Sequence, residues 1–495
     1  MKSLKFLAAA TMLAGALVQQ ASATTQHIYI TGSTAFRAAA IAAIGSVTHL
    51  GNTSGVNGIV ANGGTGNDTT YTNSTPPAGT STTGTQNTTF IWEGGYITNS
   101  DSSTTPVTVC ATFTGSTGGY ETNMGSLAIP FLPDGSSGTT ANKSAYADAA
   151  GSIPNLTTFT YTDSSSNSHN GFYPTTVLVV PQLNFGDSFQ SSTLFTPGSI
   201  ALGSPYNTTA TFVQGNDNPI GFVTFKWLAS KNFPLGTGST GVDQGTIFGS
   251  GYRVSSINVN SNSLINLFTG GSIPLSQLTG STGDQTTQLF ATGRNFDSGT
   301  RTITFADSEI GTGTSVYQYE PASSGGVVVS QQPYPIVSVD GLSTVTLGNS
   351  GEASGGTLRA FLGLTLPSIG QPNFPITDEG SDVTAAYYVT YLGTADASNG
   401  AVAGTAVELS YKGVPFSAQG IYQGQYSFWS VEHIVDRGNL TGVPLQFRKN
   451  LVTTFNGFAS TAFSKAGLSN LDVTNNVFQA SRQSDGGLIS VTFNP

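Results

Sequence analysis

The chain has 495 residues, of which 8% are charged and 62 are glycine. This length exceeds what one ordinary hydrophobic core holds, so we expect two lobes of about 150 to 200 residues each, plus insertions. The formal net charge of -10 argues against nucleic acid and anionic lipid surfaces as general partners. Abundant Gly, Ser, Thr and Asn indicate an exported protein with many turns and polar strands.

The first 23 residues predict a secretory signal peptide. Lys2 and Lys5 flank the start of an apolar core over residues 6–18, and residues 21–23 (Ala-Ser-Ala) form a small-x-small cleavage site. The core is too short for a spanning helix. We therefore expect a mature chain that begins at Thr24, has a charge of about -12, and is secreted to the periplasm or the extracellular space.

Cys110 is the only cysteine in the sequence, which excludes an internal disulfide. It lies far from the cleavage site, so we expect no lipid anchor on the mature N-terminus. No run of about 18 apolar residues follows the signal peptide, and we expect a soluble monomer without membrane insertion.

The mature chain opens with a strand-to-helix turn. Residues 27–30 alternate in polarity like a strand, and an alanine-rich run up to residue 44 is typical of a helix. Gly32-Ser33-Thr34 lies between them and could present free amides to a ligand. Small residues also suit any strand-helix connection, so this turn alone leaves both interpretations open.

A second turn of this kind follows a polar insertion. Residues 52–86 are low-complexity Gly, Thr, Ser and Asn, which we interpret as an insertion at about 50–90. Residues 106–113 then alternate like a strand and lead into the small-residue turn 114–119. Residues 134–170 are again polar and predicted to be looped.

Asp187 follows a segment, residues 175–180, that we predict to be a buried strand. It lies among Gly186, Ser188 and Ser191, near a polar turn. A carboxylate acceptor beside an anion would favour monohydrogen phosphate, which retains a proton to donate, over fully ionised sulfate. The alternative is an Asx-type turn that caps a helix.

The most informative stretch is residues 291–311. Arg294 precedes the turn 297–300 (Asp-Ser-Gly-Thr), and the apolar positions Ile303, Phe305 and Ile310 could cover one face of a helix. The first turn of a helix has unpaired amides and a partial positive charge, and an arginine adds a bidentate fork, so we predict an anion site. The alternative is an ordinary helix cap beside a solvated arginine.

The remaining segments have simpler predictions. Residues 424–433 gather aromatic side chains near Glu432 and His433, which could stack on a sugar but are more simply explained by a buried strand or helix start. The others are a buried strand at 220–228, helical spacing and then a turn in 261–278, loops at 311–326 and 339–356, a strand at 387–392 followed by a turn, and a closing helix at 451–463.

Several segments together resemble the phosphate-binding receptors of bacterial ABC importers, in the type II periplasmic binding-protein superfamily. The segments are ITGSTAF, FTGSTGG, NFGDSFQSST, INLFTGGSIPLSQLTG, GRNFDSGTR, GGTLRAFL and YVTYLGTADA, in the family's order. The resemblance implies an α/β, two-lobed type II periplasmic binding-protein fold with β/loop-rich insertions. The implied lobes are 24–215 plus 413–495, and 216–412.

The resemblance also implies a ligand site for phosphate or a similar oxyanion, and an ABC permease as partner. The residues carried over by motif are Ser33, Thr34, Phe36, Ser116, Asp187, Arg294, Ser298, Gly299 and Thr300. The sequence departs from the family at three places. The first turn reads Ser-Thr-Ala-Phe instead of Ala-Thr-Phe, Asp187 precedes a serine instead of following one, and Phe296 replaces an acid.

Little in the sequence indicates catalysis. The four histidines are scattered singly without metal-ligand spacing, and neither a G-x-S-x-G elbow nor a Walker loop occurs. We therefore expect a binding protein without enzyme activity, metal or cofactor. The alternative is a secreted structural or adhesive protein that keeps the receptor fold while its polar insertions supply the working surface.

Overall fold

The computed structural model describes only part of the chain, and the predicted signal peptide lies outside it. Most of the 52–86 insertion and residues 132–156 also lie outside the described residues. The described residues are 25–50, 59–62, 89–131, 157–162, 168–173, 177–197, 202–203, 206–207, 210–234, 253–335, 338–339, 343–344, 346–352, 354–366, 385–397, 406–465 and 480–491.

Strands alternate with helices along the described chain. The strands are β1 Gln26–Gly32, β2 Ile59–Asn62, β3 Thr89–Thr98, β4 Thr104–Thr112, β5 Ile129–Phe131, β6 Thr157–Thr162, β7 Ser168–Tyr173, β8 Val177–Val179, β9 Leu183–Gly186, β10 Leu202–Gly203, β11 Tyr206–Asn207, β12 Asn216–Ala229, β13 Arg253–Val259, β14 Ser272–Pro274, β15 Thr287–Ala291, β16 Tyr319–Ser324, β17 Val327–Pro333, β18 Ser338–Val339, β19 Ser343–Thr344, β20 Ala385–Gly393, β21 Val407–Tyr411, β22 Trp429–Asp436, β23 Ala480–Ser481 and β24 Ser490–Val491. The α-helices are α1 Arg37–Val47, α2 Ser116–Met124, α3 Ser261–Gly270, α4 Ser276–Thr279, α5 Gly299–Asp307, α6 Gly355–Leu362, α7 Thr394–Ala397, α8 Ala418–Tyr422 and α9 Gly442–Lys465.

Twelve of the described strands form one mixed sheet, so the fold is α/β. Its main order is β14-β15-β20-β12-β22-β9-β1-β4-β3-β2, and β21 joins β12 to β13. β1 runs parallel to β4 and β9, whereas β12 runs antiparallel to β20 and β22. The parallel strands place the ends of β1, β4 and β9 at one edge of the sheet, where the predicted turns begin.

β12 joins the two halves of this sheet. Its residues 216–224 pair with β22, and its residues 225–229 pair with β20. A separate hydrophobic core lies over each half. The first core contains Ile30, Phe185 and Phe447, and the second contains Trp227, Phe305 and Tyr391.

The predicted elements around the site are confirmed. A strand and a helix flank the first turn as β1 and α1, β4 leads into α2, and Ile303 and Phe305 are buried on α5. The crossing strand predicted at 220–228 lies within β12. α3 begins with a capping box between Asn260 and Ser263, which satisfies two backbone amides at its start.

Several other predictions were wrong. Residues 175–180 are not a buried strand, because β8 pairs only with short β5 and Leu178 is 71% exposed. Strand pairs β6 and β7, and β16 and β17, lie partly in segments predicted to be loops. The turn predicted after residue 392 is the short helix α7, and the closing helix begins at Gly442.

The aromatic segment 424–433 is part of the protein interior. Tyr426, Phe428 and Trp429 are all buried in the second core, which rules out the sugar-stacking alternative for these rings. Among the described helices, none is both long and apolar enough to cross a membrane.

Candidate functional site

The predicted anion motif forms the N-terminus of α5. Ser298 has an extended backbone at the N-cap, and its Oγ accepts a hydrogen bond from the Arg301 amide at 3.3 Å. A serine at this position satisfies one of the orphan amides of a helix start. The amides of Gly299 and Thr300 donate to no described residue. The helix dipole adds partial positive charge to this end.

Arg294 is buried, with 2% of its surface exposed, so the alternative of a solvated surface charge was wrong. Its Nε donates to the Glu352 carbonyl at 3.0 Å, and its Nη2 donates to Thr34 Oγ1 at 2.9 Å. Its amide donates to the Tyr391 hydroxyl at 3.1 Å. Burial lowers the pKa of Arg294, and the negative charge of Asp396 opposes that shift most strongly.

Asp187 lies directly against the start of α5. The Ser116 hydroxyl donates to Asp187 Oδ1, and the Thr300 hydroxyl donates to Oδ2 at 3.3 Å. A Cβ on Gly299 would collide with Asp187 Oδ1 and lie 2.6 Å from Ser116 Cβ. Only glycine permits this close approach. The Asx-turn alternative is not observed, because these hydroxyls come from α2 and α5.

The protonation of Asp187 reflects opposing influences. Burial raises its pKa, while the hydrogen bond from Ser116 and the positive charge of Arg294 lower it. The carboxyl is 1% exposed, so the loss of hydration is the largest influence. A group in this environment can act as a hydrogen-bond acceptor whose charge depends on its neighbours.

The N-terminus of α2 faces the same region, but two of its amides are already used. The Asp297 carbonyl accepts from the Thr117 amide at 3.0 Å and the Gly118 amide at 3.3 Å. Gly115, with φ of +97°, packs against this carbonyl. The Thr117 hydroxyl also lies 2.9 Å from that of Thr302 on α5. These contacts join the two halves of the sheet across the site.

The first turn completes the site. Thr34 Oγ1 accepts from Arg294, while the Ser33 amide donates to the Phe185 carbonyl at 2.7 Å. The Phe36 amide donates to Ser33 Oγ at 3.1 Å, so it is not free. The Thr34 and Ala35 amides donate to no described residue.

The nine predicted residues therefore divide into two groups. Six belong to one network, namely the side chains of Thr34, Ser116, Asp187, Arg294 and Thr300, and Gly299, which packs against Asp187 and Ser116. Ser33, Phe36 and Ser298 support the turns: Ser33 and Ser298 by hydrogen bonds, and Phe36 by packing on Phe185 and Phe455. Whether any of them contacts a ligand remains a prediction.

Sequence reasoning missed the residues that hold this network in place. Glu352 and Tyr391 orient Arg294 through a carbonyl and a hydroxyl, and Asp396 is the main counter-charge to Arg294. Only long-range packing brings them there. Asp396 could have been found from the sequence, because it lies in YVTYLGTADA, one of the segments that carry the resemblance.

Phe296 stands at one of the positions where the sequence departs from the resembling family. Its ring lies 4.2 Å from the guanidinium carbon of Arg301, which also stacks on Phe305 at 4.7 Å. Phe296 packs with Tyr120 and Phe195 in a small cluster beside α2. The aromatic side chain thus adds an apolar contact where the family has an acid.

Among the described residues, no group of three or more His, Cys, Asp or Glu side chains could hold a metal ion. The side chains that meet here are mostly hydrogen-bond donors. Arginine, hydroxyls and helix amides can donate to oxyanion oxygens, and Asp187 can accept a proton-bearing oxygen.

Comparisons with known proteins find only distant structural neighbours. A phosphate ABC transporter substrate-binding protein from Clostridium perfringens, solved with bound phosphate, is 9% identical with a TM-score of 0.34; the match covers 89% of this chain and 98% of that one. PstS from Borrelia burgdorferi is 11% identical with a TM-score of 0.33, covering 89% and 97%. An ABC-type phosphate transport receptor from Vibrio cholerae is 9% identical with a TM-score of 0.30, covering 58% and 77%. No family model and no curated protein matches the sequence.

Proposed function

We propose that the protein is an extracytoplasmic receptor that binds phosphate or a similar oxyanion between two lobes of a type II periplasmic binding-protein fold. The lobes are residues 24–215 plus 413–495, and 216–412. The receptor would deliver its ligand to an ABC permease and perform no chemistry. The observation that carries the proposal is the meeting of three strand-to-helix turns. Ser116 and Thr300 both donate to Asp187, and buried Arg294, whose charge acts on Asp187, donates to Thr34.

Each part of this network has a role toward an oxyanion. Arg294 supplies a fixed positive charge, and the free amides of Gly299 and Thr300 supply donors at a helix start. Thr34 and Ser116 supply hydroxyls. Asp187 would accept the proton of monohydrogen phosphate, which sulfate cannot offer.

Binding in this arrangement requires a movement. Asp187 lies against Gly299, the position that the helix amides make most favourable for an anion. An entering oxyanion must therefore separate α5 from Asp187. β12 and β22 connect the halves of the sheet, and small changes in their backbone would open the lobes like a hinge.

One observation favours the alternative of a secreted structural or adhesive protein. Asp297 already satisfies two amides of α2, and Asp187 already bonds to both α2 and α5. A permanently joined interface would need no ligand.

The proposed lobe boundary at residue 413 has one structural feature. Phe416 and Ile421, which follow that boundary in the sequence, pack in the second core.

Isothermal titration of the phosphate-stripped chain with phosphate and then sulfate separates these functions. The receptor binds phosphate, and Arg294→Ala weakens it at least about a hundredfold, because a buried charged donor is lost. Arg437→Ala is the matched control, since Arg437 bonds to carbonyls at the far end of α2. A folded wild-type chain that binds neither anion contradicts the receptor and favours the structural protein.

A further inference from the structure

A buried acid that the proposed binding roles leave unused lies in the strand beside the site. Glu432 of β22 is 0% exposed, and neither carboxyl oxygen has a hydrogen-bond partner among the described residues. Burying an unpartnered acid is unfavourable, and ionisable groups in such environments concentrate at functional sites. The neighbours of Glu432 define what it can do.

Strand pairing brings Glu432 next to the end of β9, where Asp187 follows. β22 and β9 are antiparallel, and His433 pairs with Gly186, the last residue of β9. One step further in the same register, Asp187 would be opposite Glu432, although Asp187 itself lies in a bend just past the paired residues. The negative charge of Asp187 acts on Glu432, so the two buried carboxyl groups are close enough to interact.

Glu432 also adjoins the first turn. On its other side it pairs with Gly221 of β12. A Cβ on Gly221 would lie 3.8 Å from Phe36 Cε2 and 4.0 Å from Glu432 Cβ. Glu432 is therefore buried beside β12, and the ring of Phe36 lies near the neighbouring Gly221.

The hydrogen bonds distinguish the two acids. Asp187 accepts from the hydroxyls of Ser116 and Thr300, which stabilises its ionised form. Glu432 receives no such bond from a described residue. Burial, followed by the charge of Asp187, raises the pKa of Glu432 well above its ordinary value. Two like charges this close do not both ionise readily.

The other charged and titratable groups around the pair act mainly on Asp187. Arg294 of the turn before α5 favours its ionised form, and Asp485 of the C-terminal segment opposes it. Burial raises the pKa of Tyr120 on α2, and the charges of Glu432 and Asp187 add to that shift, so Tyr120 stays neutral. These neighbours leave Glu432 as the group that holds a proton.

We propose that Asp187 and Glu432 form a carboxyl pair that binds one proton at neutral pH, with the proton on Glu432. Its consequence for binding rests on the proposed function. The pair offers the ligand one carboxylate acceptor, while Glu432 adds no charge beside the anion. When rising pH ionises Glu432, the second negative charge repels the oxyanion and phosphate affinity falls.

Infrared difference spectroscopy tests the pair without any ligand. Subtracting the spectrum of Glu432→Gln from that of the wild type at neutral pH isolates one carboxylic-acid C=O band. The wild type shows this band without any ligand. In Asp187→Asn the band titrates at lower pH, because the repelling charge of Asp187 is gone. Glu309→Gln, an exposed acid 3.2 Å from Lys412, is the matched control and removes no such band. Absence of the band in the wild type overturns the proposal.

Phosphate titrations from about pH 6 to about pH 9 test the consequence for binding. The ratio of wild-type to Glu432→Gln dissociation constants cancels the ionisation of phosphate itself, and it rises at least about tenfold toward alkaline pH. A constant ratio overturns the role of Glu432 in binding while leaving the receptor intact. If the wild type binds no phosphate, the receptor proposal fails, and the infrared band alone decides the carboxyl pair.

Discussion

Two helix N-termini meet at the candidate site and are satisfied in different ways. At α2, the amides of Thr117 and Gly118 both donate to the Asp297 carbonyl. At α5, the amides of Gly299 and Thr300 have no partner among the described residues. Two amides of the first helix start are therefore committed to a protein contact, whereas at the second two amides stay available, which the proposed function assigns to an anion.

The two helix starts are joined to the opposite half of the sheet by different kinds of contact. A backbone carbonyl carries no net charge and makes a fixed cap for α2. The partner of α5 is the Asp187 carboxyl group, which lies against Gly299 and accepts from the Thr300 hydroxyl. Because Asp297 lies directly before α5, an oxyanion that enters by opening the lobes would also have to break the hydrogen bonds from Thr117 and Gly118 to the Asp297 carbonyl.

Substitution of the glycines at the two helix starts gives the largest expected effect. Gly299→Ala forces a Cβ into Asp187 and Ser116, and we expect a loss of about 2 to 3 kcal/mol in the free energy of unfolding. In Gly118→Ala, the new Cβ would lie 3.2 Å from Asp297 Cβ and Cγ, a crowded contact that a shift of a few tenths of an ångström relieves. Alanine also favours a helix, so that variant stays close to the wild type. Urea unfolding measures both, and equal losses would contradict the proposed difference.

The pH dependence of stability is the next largest effect. The pKa of Glu432 is higher in the folded chain than in the unfolded chain, so the native state binds more protons between the two values. Stability is thus fully present below the unfolded pKa of about 4.3 and falls as pH rises through the folded pKa. Each unit of pKa difference corresponds to about 1.4 kcal/mol.

Glu432→Gln removes this contribution while keeping the side-chain shape. The wild type should lose free energy of unfolding relative to the variant as pH rises from about 4.5 to about 8. Thermal or urea unfolding of both proteins across that range makes the comparison. Parallel pH profiles would show that Glu432 does not change its protonation on unfolding.

Removal of a helix cap gives the smallest effect and separates capping from binding. Ser298 caps α5 and Ser354 caps α6 through the same kind of hydrogen bond. Each serine-to-alanine change should cost about 1 kcal/mol of stability. Only Ser298→Ala should also weaken phosphate binding, because it alters the helix start at the site. Equal phosphate affinity in both variants would restrict Ser298 to capping.

Local patterns predicted the elements that position the site. Alternation and small residues identified β1, the first turn and α1, and apolar spacing identified α5 with buried Ile303 and Phe305. The same local patterns failed at Leu178, where an apolar segment is exposed because its strand pairs only with a short neighbour.

The hydrogen-bond partners of the site residues could not be predicted, since they come from elements that are far apart in the sequence. Asp297 caps α2 through its carbonyl, which any residue could supply, so its side chain carried no signal. Glu432 comes near Asp187 because β22 pairs with β9, and no residue close to it in the sequence indicates that pairing. Aromatic composition marked residues 424–433 as notable but could not show that the neighbouring acid would be enclosed.

The central claim is that α5 and Arg294 form an oxyanion site from which Asp187 can be displaced. A crystal structure of the mature chain grown with phosphate, beside one grown without it, tests this claim most directly. We predict a tetrahedral ion bound by Arg294, Thr34 and the Gly299 amide, with Asp187 moved off Gly299 to accept from the ion. Asp187 still packed against Gly299 in saturating phosphate, with no ion beside Arg294, would contradict it.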